Sequence, residues 1–231
     1  METSVLDEII EAPDFFDQLA VLNARAKAEA ELRRKFYETI TEQEKVEFIA
    51  GEIVFQSPAR LRHVEASDNL FNLLSFHVKL QKLGMVRHEK LLVSLTRNDF
   101  EPDICFFSTE KAKDFRPEQM RFPAPDFVVE VLSESTESRD RGIKKIDYAA
   151  HGVREYWIVD PVREHVEVLL LEGRRFRAAA TYGGGEIESV VVEGFRIRVR
   201  AVFDAETNVA ELRRLMEPPT ADEAAEADEA R

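Results

Sequence analysis

Residues 125–132 read Pro125-Asp126-Phe127-Val128-Val129-Glu130-Val131-Leu132. From Phe127 onward every residue except Glu130 is apolar, and three are valine. A short, continuous apolar run bounded by proline reads as a strand covered on both faces. A strand of that kind belongs to a sheet sandwiched between other layers, which points to an α/β fold. It also places Glu130 in the middle of a buried segment. An ionised carboxylate is very costly there without a partner. Glu130 must therefore be protonated, paired with a base, or bound to a cation.

Working outward, Glu101-Pro102-Asp103-Ile104-Cys105-Phe106-Phe107 predicts a strand over 103–107, entered through Pro102. Asp103 and Glu130 then lie on neighbouring strands, where two carboxylates converge on one sheet edge. Downstream, 139–150 predicts a helix closed by Gly152 after His151. Asp140, Lys144 and Tyr148 fall at i, i+4 and i+8 and share one face of it. If that face looks back at the sheet, Lys144 approaches Glu130. Hard divalent ions such as magnesium bind through one or two carboxylates plus water and phosphate oxygens. A lysine beside them can orient an attacking water or stabilise charge developing on a phosphate. The run Glu155-Tyr156-Trp157-Ile158-Val159 predicts the next strand, ended by Asp160-Pro161.

Elsewhere, 14–39 predicts a helix with Phe15, Leu19, Leu22, Ala26 and Ala30 at helical spacing. It either packs on the core or mediates self-association, and the pattern leaves both open. Residues 47–55 read as a hairpin through Ala50-Gly51, and Ser57-Pro58 breaks the chain after it. A helix follows over 61–83 with Gly84 as its stop. A strand is expected over 86–95, a hairpin over 166–171 and 174–179 through Glu172-Gly173, and a last strand over 190–199. The run Gly183-Gly184-Gly185 lacks a following Lys-Ser/Thr and is no phosphate loop. From Pro218 the chain is rich in Ala, Asp and Glu and is expected to be disordered. The division is 1–40 as a helical extension, 41–205 as the central domain, and 206–231 as a short helix and acidic tail.

The net charge of −13 argues against broad, non-specific binding to nucleic acid. Its distribution softens that argument. Residues 217–231 carry six acids and one base, and 1–45 carry eleven acids and six bases, which leaves 46–216 near −3. The single cysteine, Cys105, sits in an apolar run and reads as a small core residue. The acidic start lacks the basic and apolar regions of a signal peptide, and no stretch is apolar enough to span a membrane. The expected location is cytoplasmic.

Taken together, these segments resemble the Uma-type (Uma-two) endonuclease-like family of the PD-(D/E)xK superfamily. The resemblance rests on Glu101-Pro102-Asp103-Ile104, on 125–133, on Asp140-Arg141-Gly142-Ile143-Lys144, and on 148–161. Gly51-Glu52-Ile53-Val54 and 57–63 fit as well, so the similarity covers roughly 33–180. It implies a restriction-endonuclease-like α/β core, a mixed central sheet flanked by helices, preceded here by the helix and hairpin. It implies that Asp103 is the aspartate of the PD motif and Glu130 the acidic residue of (D/E)xK. The superfamily's lysine usually follows two residues later, where this chain has Leu132. The Uma-type pattern places it on the next helix, matching Lys144, with Lys145 as rival. The implied activity is an endonuclease that hydrolyses DNA with Mg2+ or Mn2+ held by Asp103 and Glu130. The alternative is an inactive nuclease fold that binds nucleic acid or a protein.

Plainer readings compete at each position. Asp103 caps a turn after Pro102, or Glu130 pairs with Arg139 or Arg141. Asp126 also follows a proline and shares a strand face with Glu130; a strand-entry role suits it better than metal contact. His63, Glu65 and Glu52 are lesser site candidates. Tyr156 and Trp157 read as core, and Arg196, Arg198 and Arg200 as a solvated strand face. Restriction-like nucleases that cut two strands often pair, so a homodimer is expected as an option.

Overall fold

A computed structural model describes residues 5–41 and 44–217. The expected acidic tail from Pro218 lies outside the described residues. The chain runs α1 (Val5–Glu11), α2 (Phe15–Thr39), β1 (Val46–Ile49), β2 (Glu52–Phe55), α3 (Leu61–Gln81), β3 (Gly84–His88), β4 (Leu92–Ser94), β5 (Asp99–Phe100) and β6 (Ile104–Ser108). There follow α4 (Thr109–Ala112), β7 (Arg121–Phe122), β8 (Phe127–Val131), α5 (Glu137–Arg139), a π-helical turn (Asp140–Lys144), α6 (Lys145–Ala150) and β9 (Glu155–Asp160). The rest is β10 (His165–Glu172), β11 (Arg175–Tyr182), β12 (Glu186–Glu188), β13 (Arg196–Arg198), α7 (Arg200–Phe203) and α8 (Ala205–Met216).

The main sheet has the order β11-β10-β9-β8-β6-β3. Only β8 and β9 in it pair in parallel, with Glu130 opposite Ile158; the other pairs are antiparallel. A parallel pair needs a crossover, and the helical stretch from α5 to α6 supplies it. Alternation along β8 decides what each layer receives. Phe127, Val129 and Val131 pack with Leu70, Leu73 and Leu74 of α3. Val128 turns to the opposite face and packs with Tyr148 of α6 and Tyr156 of β9. Glu130 shares the parity of Val128, so it too faces the α6 layer. A second sheet, β2-β1-β5-β4-β7, packs on that same side through Ile49, Val93 and Phe100. The expected α/β architecture of mixed sheets flanked by helices is the one observed.

Three local expectations need correction. The strand expected over 86–95 is two strands in different sheets, β3 and β4. The chain turns between them at Glu89 (φ 47°) and Lys90 (φ 45°), positions with no glycine to announce a turn. The stop of α3 is not Gly84 but Lys82, whose φ of 57° gives a left-handed cap. The last strand over 190–199 shrinks to β13, paired with β12, because 189–195 folds into a loop around buried Val192 and Phe195. Arg196 and Arg198 lie on its outer face, in ion pairs with Glu186 and Glu211, while Arg200 opens α7 and pairs with Glu164. No helix of the described residues is long and apolar enough to cross a membrane.

Candidate active site

Asp103 sits one residue before β6, and extending the β6–β8 register by one step sets it against Glu130. Side chains and backbone then interlock. Asp103 Oδ2 accepts a hydrogen bond from the Val131 amide at 2.8 Å. The Asp103 amide in turn reaches Glu130 Oε2 at 3.4 Å, a long contact that leaves this oxygen weakly held. Both carboxylates are nearly sealed, at 5% and 2% exposure. What stabilises two buried acids side by side is cations. Lys45 donates to Asp103 Oδ1 at 3.0 Å, and His63 Nε2 stands 3.6 Å from the same oxygen. Burial alone would raise the Asp103 pKa. The His63 and Lys45 contacts outweigh it and hold the carboxyl well below the usual range.

Lys144 serves the other carboxylates. Its ammonium lies 3.0 Å from Glu130 Oε1, 3.0 Å from Glu47 Oε1 and 3.3 Å from Asp140 Oδ1. Burial would lower its pKa, but these three acids raise it well above the ordinary value. Tyr148, one turn on, donates from its hydroxyl to Glu130 Oε1 at 3.0 Å. The shared face of Asp140, Lys144 and Tyr148 therefore does look back at the sheet. The acids still outnumber the cations. Burial first, with Asp140, Asp103 and Glu47 nearby, raises the Glu130 pKa despite Lys144. Burial and then Glu47 push Glu101 up to about 7.

Three of these residues escaped the sequence reading. Glu47 occupies a hairpin strand, where a lone polar residue ordinarily points to solvent; here it is fully buried, and Oε1 also accepts from the Glu101 amide. Glu101 receives the Val46 amide. Lys45 precedes β1 in a polar stretch. The nearest signal was a glutamate inside the apolar run Val46-Glu47-Phe48-Ile49, the same kind of anomaly that marked Glu130.

The carboxylates open onto a cleft of about 870 Å³. Three segments form its walls: 56–63, which runs into α3, 132–137, which runs into α5, and 160–163 after β9. Arg60, Arg62 and Arg163 stand on the rim, Arg60 paired with Glu134 and Arg163 with Asp160, and Lys45, Asp103 and Glu130 line the floor.

A family model described as "Putative restriction endonuclease", the Uma2 family, matches residues 33–200. The chain belongs to the Uma2 family. Among solved structures, it resembles one described as a putative nuclease belonging to DUF820 from Anabaena variabilis. The two share 17% identity and a TM-score of 0.62, over 77% of this chain and 96% of that one. At that identity the likeness is one of fold. No curated protein matches the chain.

The Uma2 match contains every residue of the cleft and leaves out α1 and most of α2. The fold brings Asp103, Glu130, Lys144 and His63 together and leaves the other candidates outside. Asp126 accepts from the Ser108 amide at 2.8 Å, and Lys111 lies 3.1 Å away, so it fastens the entry to β8. Glu65 and Glu52 are exposed and do not line the cleft. Lys145 is half-buried and also absent from the lining. Arg141 binds Glu137 and Glu167 instead of Glu130, and Arg139 reaches the Ser135 carbonyl. Leu132, where the superfamily lysine would stand, is part of the cleft wall.

Proposed function

We propose that this Uma2 protein is an endonuclease that hydrolyses DNA phosphodiester bonds with a divalent metal, Mg2+ or Mn2+. The observation that carries the reading is the surplus of buried acid at the cleft floor, where Glu101, Asp103, Glu130 and Asp140 line the cleft and Glu47 lies beneath it. Glu47, Glu101, Asp103, Glu130 and Asp140 are all buried against two ammonium groups and one imidazole. Glu47 Oε2 is buried without a hydrogen-bond partner, and Asp140 Oδ1 has only the Lys144 ammonium at 3.3 Å. Among the described residues no three His, Cys, Asp or Glu side chains make a metal cage by themselves. Magnesium does not require one, because one or two carboxylates with water and substrate oxygens suffice. Asp103 and Glu130 fit that demand as hard oxygen donors at the cleft floor, and Glu130 Oε2 has spare capacity. A metal held there would lower the pKa of bound water and polarise the phosphate.

The chain's own groups do the remainder. Arg60, Arg62 and Arg163 on the rim bind and orient the phosphate backbone. Lys45, 17% exposed, is the ammonium best placed to meet a phosphate oxygen. Lys144, 2% exposed and gripped by three acids, holds Glu130 in position. His63, with Nε2 turned to Asp103, holds that carboxylate in place. A second reading, DNA binding without cleavage, is favoured by the enclosure of Lys144 and by Leu132 in the cleft wall.

Plasmid incubated with Mn2+ separates the two. Cleavage is expected with metal and none with a chelator, and Asp103→Asn or Glu130→Gln should each lose at least about a hundredfold in rate. Intact plasmid with wild type, or equal cutting by the variants, refutes the catalytic reading. Binding of Mn2+ by calorimetry then tests the metal site without reference to turnover.

A further inference from the structure

One seam of α2 changes partner midway. At its C-terminal end, positions spaced by three and four bind the body. Phe36 is buried against Phe48, Arg33 makes a paired contact with Asp99 at 2.7 and 2.9 Å, and Glu29 pairs with Arg97. The same spacing continued upstream reads Ala26, Leu22, Leu19 and Phe15. There the body falls away, and every residue from 19 to 28 is exposed. Leu19 is 39% exposed, Leu22 51% and Phe16 80%; Val5, Leu6 and Ile10 of the adjoining α1 are exposed as well. Isolated helices with uncovered apolar seams are marginal in water.

Charge says what covers the seam. Residues 5–22 hold five acids (Asp7, Glu8, Glu11, Asp14 and Asp17) and no base. Residues 23–35 hold five bases and two acids. Two such helices side by side in parallel set acid on acid. Reversed, each acidic half lies along the other's basic half. The reversed register that overlaps the whole unpartnered seam sets Leu19 against Leu22 and Phe15 against Ala26, large against small, with Arg25 near Asp14. We infer that α1 and the first half of α2 are a self-association arm, which pairs antiparallel with the arm of a second copy of this chain. The arm lies outside the Uma2 match, and the inference stands whether or not the cleft cuts DNA.

Sedimentation of the full chain at about 50 μM, a concentration that detects micromolar dimers, tests it. Twice the monomer mass is expected. Leu22→Arg should weaken the dimer at least about a hundredfold, because both copies lose a buried leucine. Its thermal midpoint for the body should stay nearly unchanged, since Leu22 is half exposed and belongs to none of the buried clusters. For orientation, Leu19→Cys and Leu22→Cys chains mixed and mildly oxidised should cross-link to each other, and neither to itself; Cys105 is buried and does not compete. A monomeric wild type, a dimer that survives Leu22→Arg, or self-cross-linking by either cysteine variant overturns the inference.

Discussion

Lys144 and Lys45 are both lysines on acids, yet their surroundings separate them. Among the described residues Lys144 is the sole ammonium touching Glu47, Glu130 and Asp140, and all four groups are sealed from water. Removing one partner of a buried charge set strands the others. Lys144→Ala should therefore cost about 3–5 kcal/mol in urea unfolding. Lys45→Ala should cost about 1–2 kcal/mol, since Asp103 keeps the Val131 amide and His63 beside it. Equal losses would show that the enclosure of Lys144 has no energetic meaning. At this scale the sequence was partly legible. Glu130 announced itself by sitting in an apolar run, and Lys144 by spacing and resemblance. Glu47 gave only a fainter form of the same signal, in a run of four residues, and its partner is a lysine nearly a hundred residues away that local pattern does not name.

Elements were legible where one face stayed in one environment. β8 and β9 appear as expected because both of their faces are buried throughout. The stretch 86–95 was misread because β3 and β4 leave one sheet for another while the apolar pattern runs on. Gly84 has a steric role at this junction that the stop reading missed. With φ at 149°, a Cβ there would stand 2.1 Å from the Phe107 carbonyl oxygen, across the β3–β6 pairing. Gly84→Ala should lower stability by more than about 1 kcal/mol. Gly142 is the contrasting case. It lies in the π-helical turn with an ordinary φ, and a Cβ added there would meet no atom within 4 Å. Gly142→Ala should leave the fold intact and raise stability by about 0.4–1 kcal/mol. Paired chemical denaturation of the two variants checks both signs, and a destabilised Gly142→Ala would mean that the π turn itself needs glycine.

For the whole molecule, the surplus of buried acid makes stability depend on pH and on divalent ions together. A carboxyl whose pKa is raised in the folded chain favours folding while it is protonated. That contribution is complete below its unfolded value, 4.5 for glutamate, and fades as pH climbs through the folded value, about 7 for Glu101. Glu130 and Asp140 shift in the same direction. Asp103 is shifted the other way, but its stabilisation is lost only as pH falls below 3.8, so it does not oppose the trend near neutrality. The metal-free protein should therefore lose thermal stability steadily from about pH 5 to pH 8. Surface acids are already ionised across that interval, whereas histidine, of which the chain has five, is the side chain that also changes charge there, so the cleft's share of the slope is the part that a cleft variant removes. Glu101→Gln, which keeps an acceptor for the Val46 amide and removes one titration, should make it shallower, with Glu130 and Asp140 carrying what remains. A divalent ion supplies the missing positive charge only where protons have left. Mn2+ should raise the melting temperature more at pH 8 than at pH 5.5, by mass action on the folded state. Melting curves at the two pH values, with chelator and with Mn2+, decide the matter: an equal shift at both, or none, removes the cleft as a cation site.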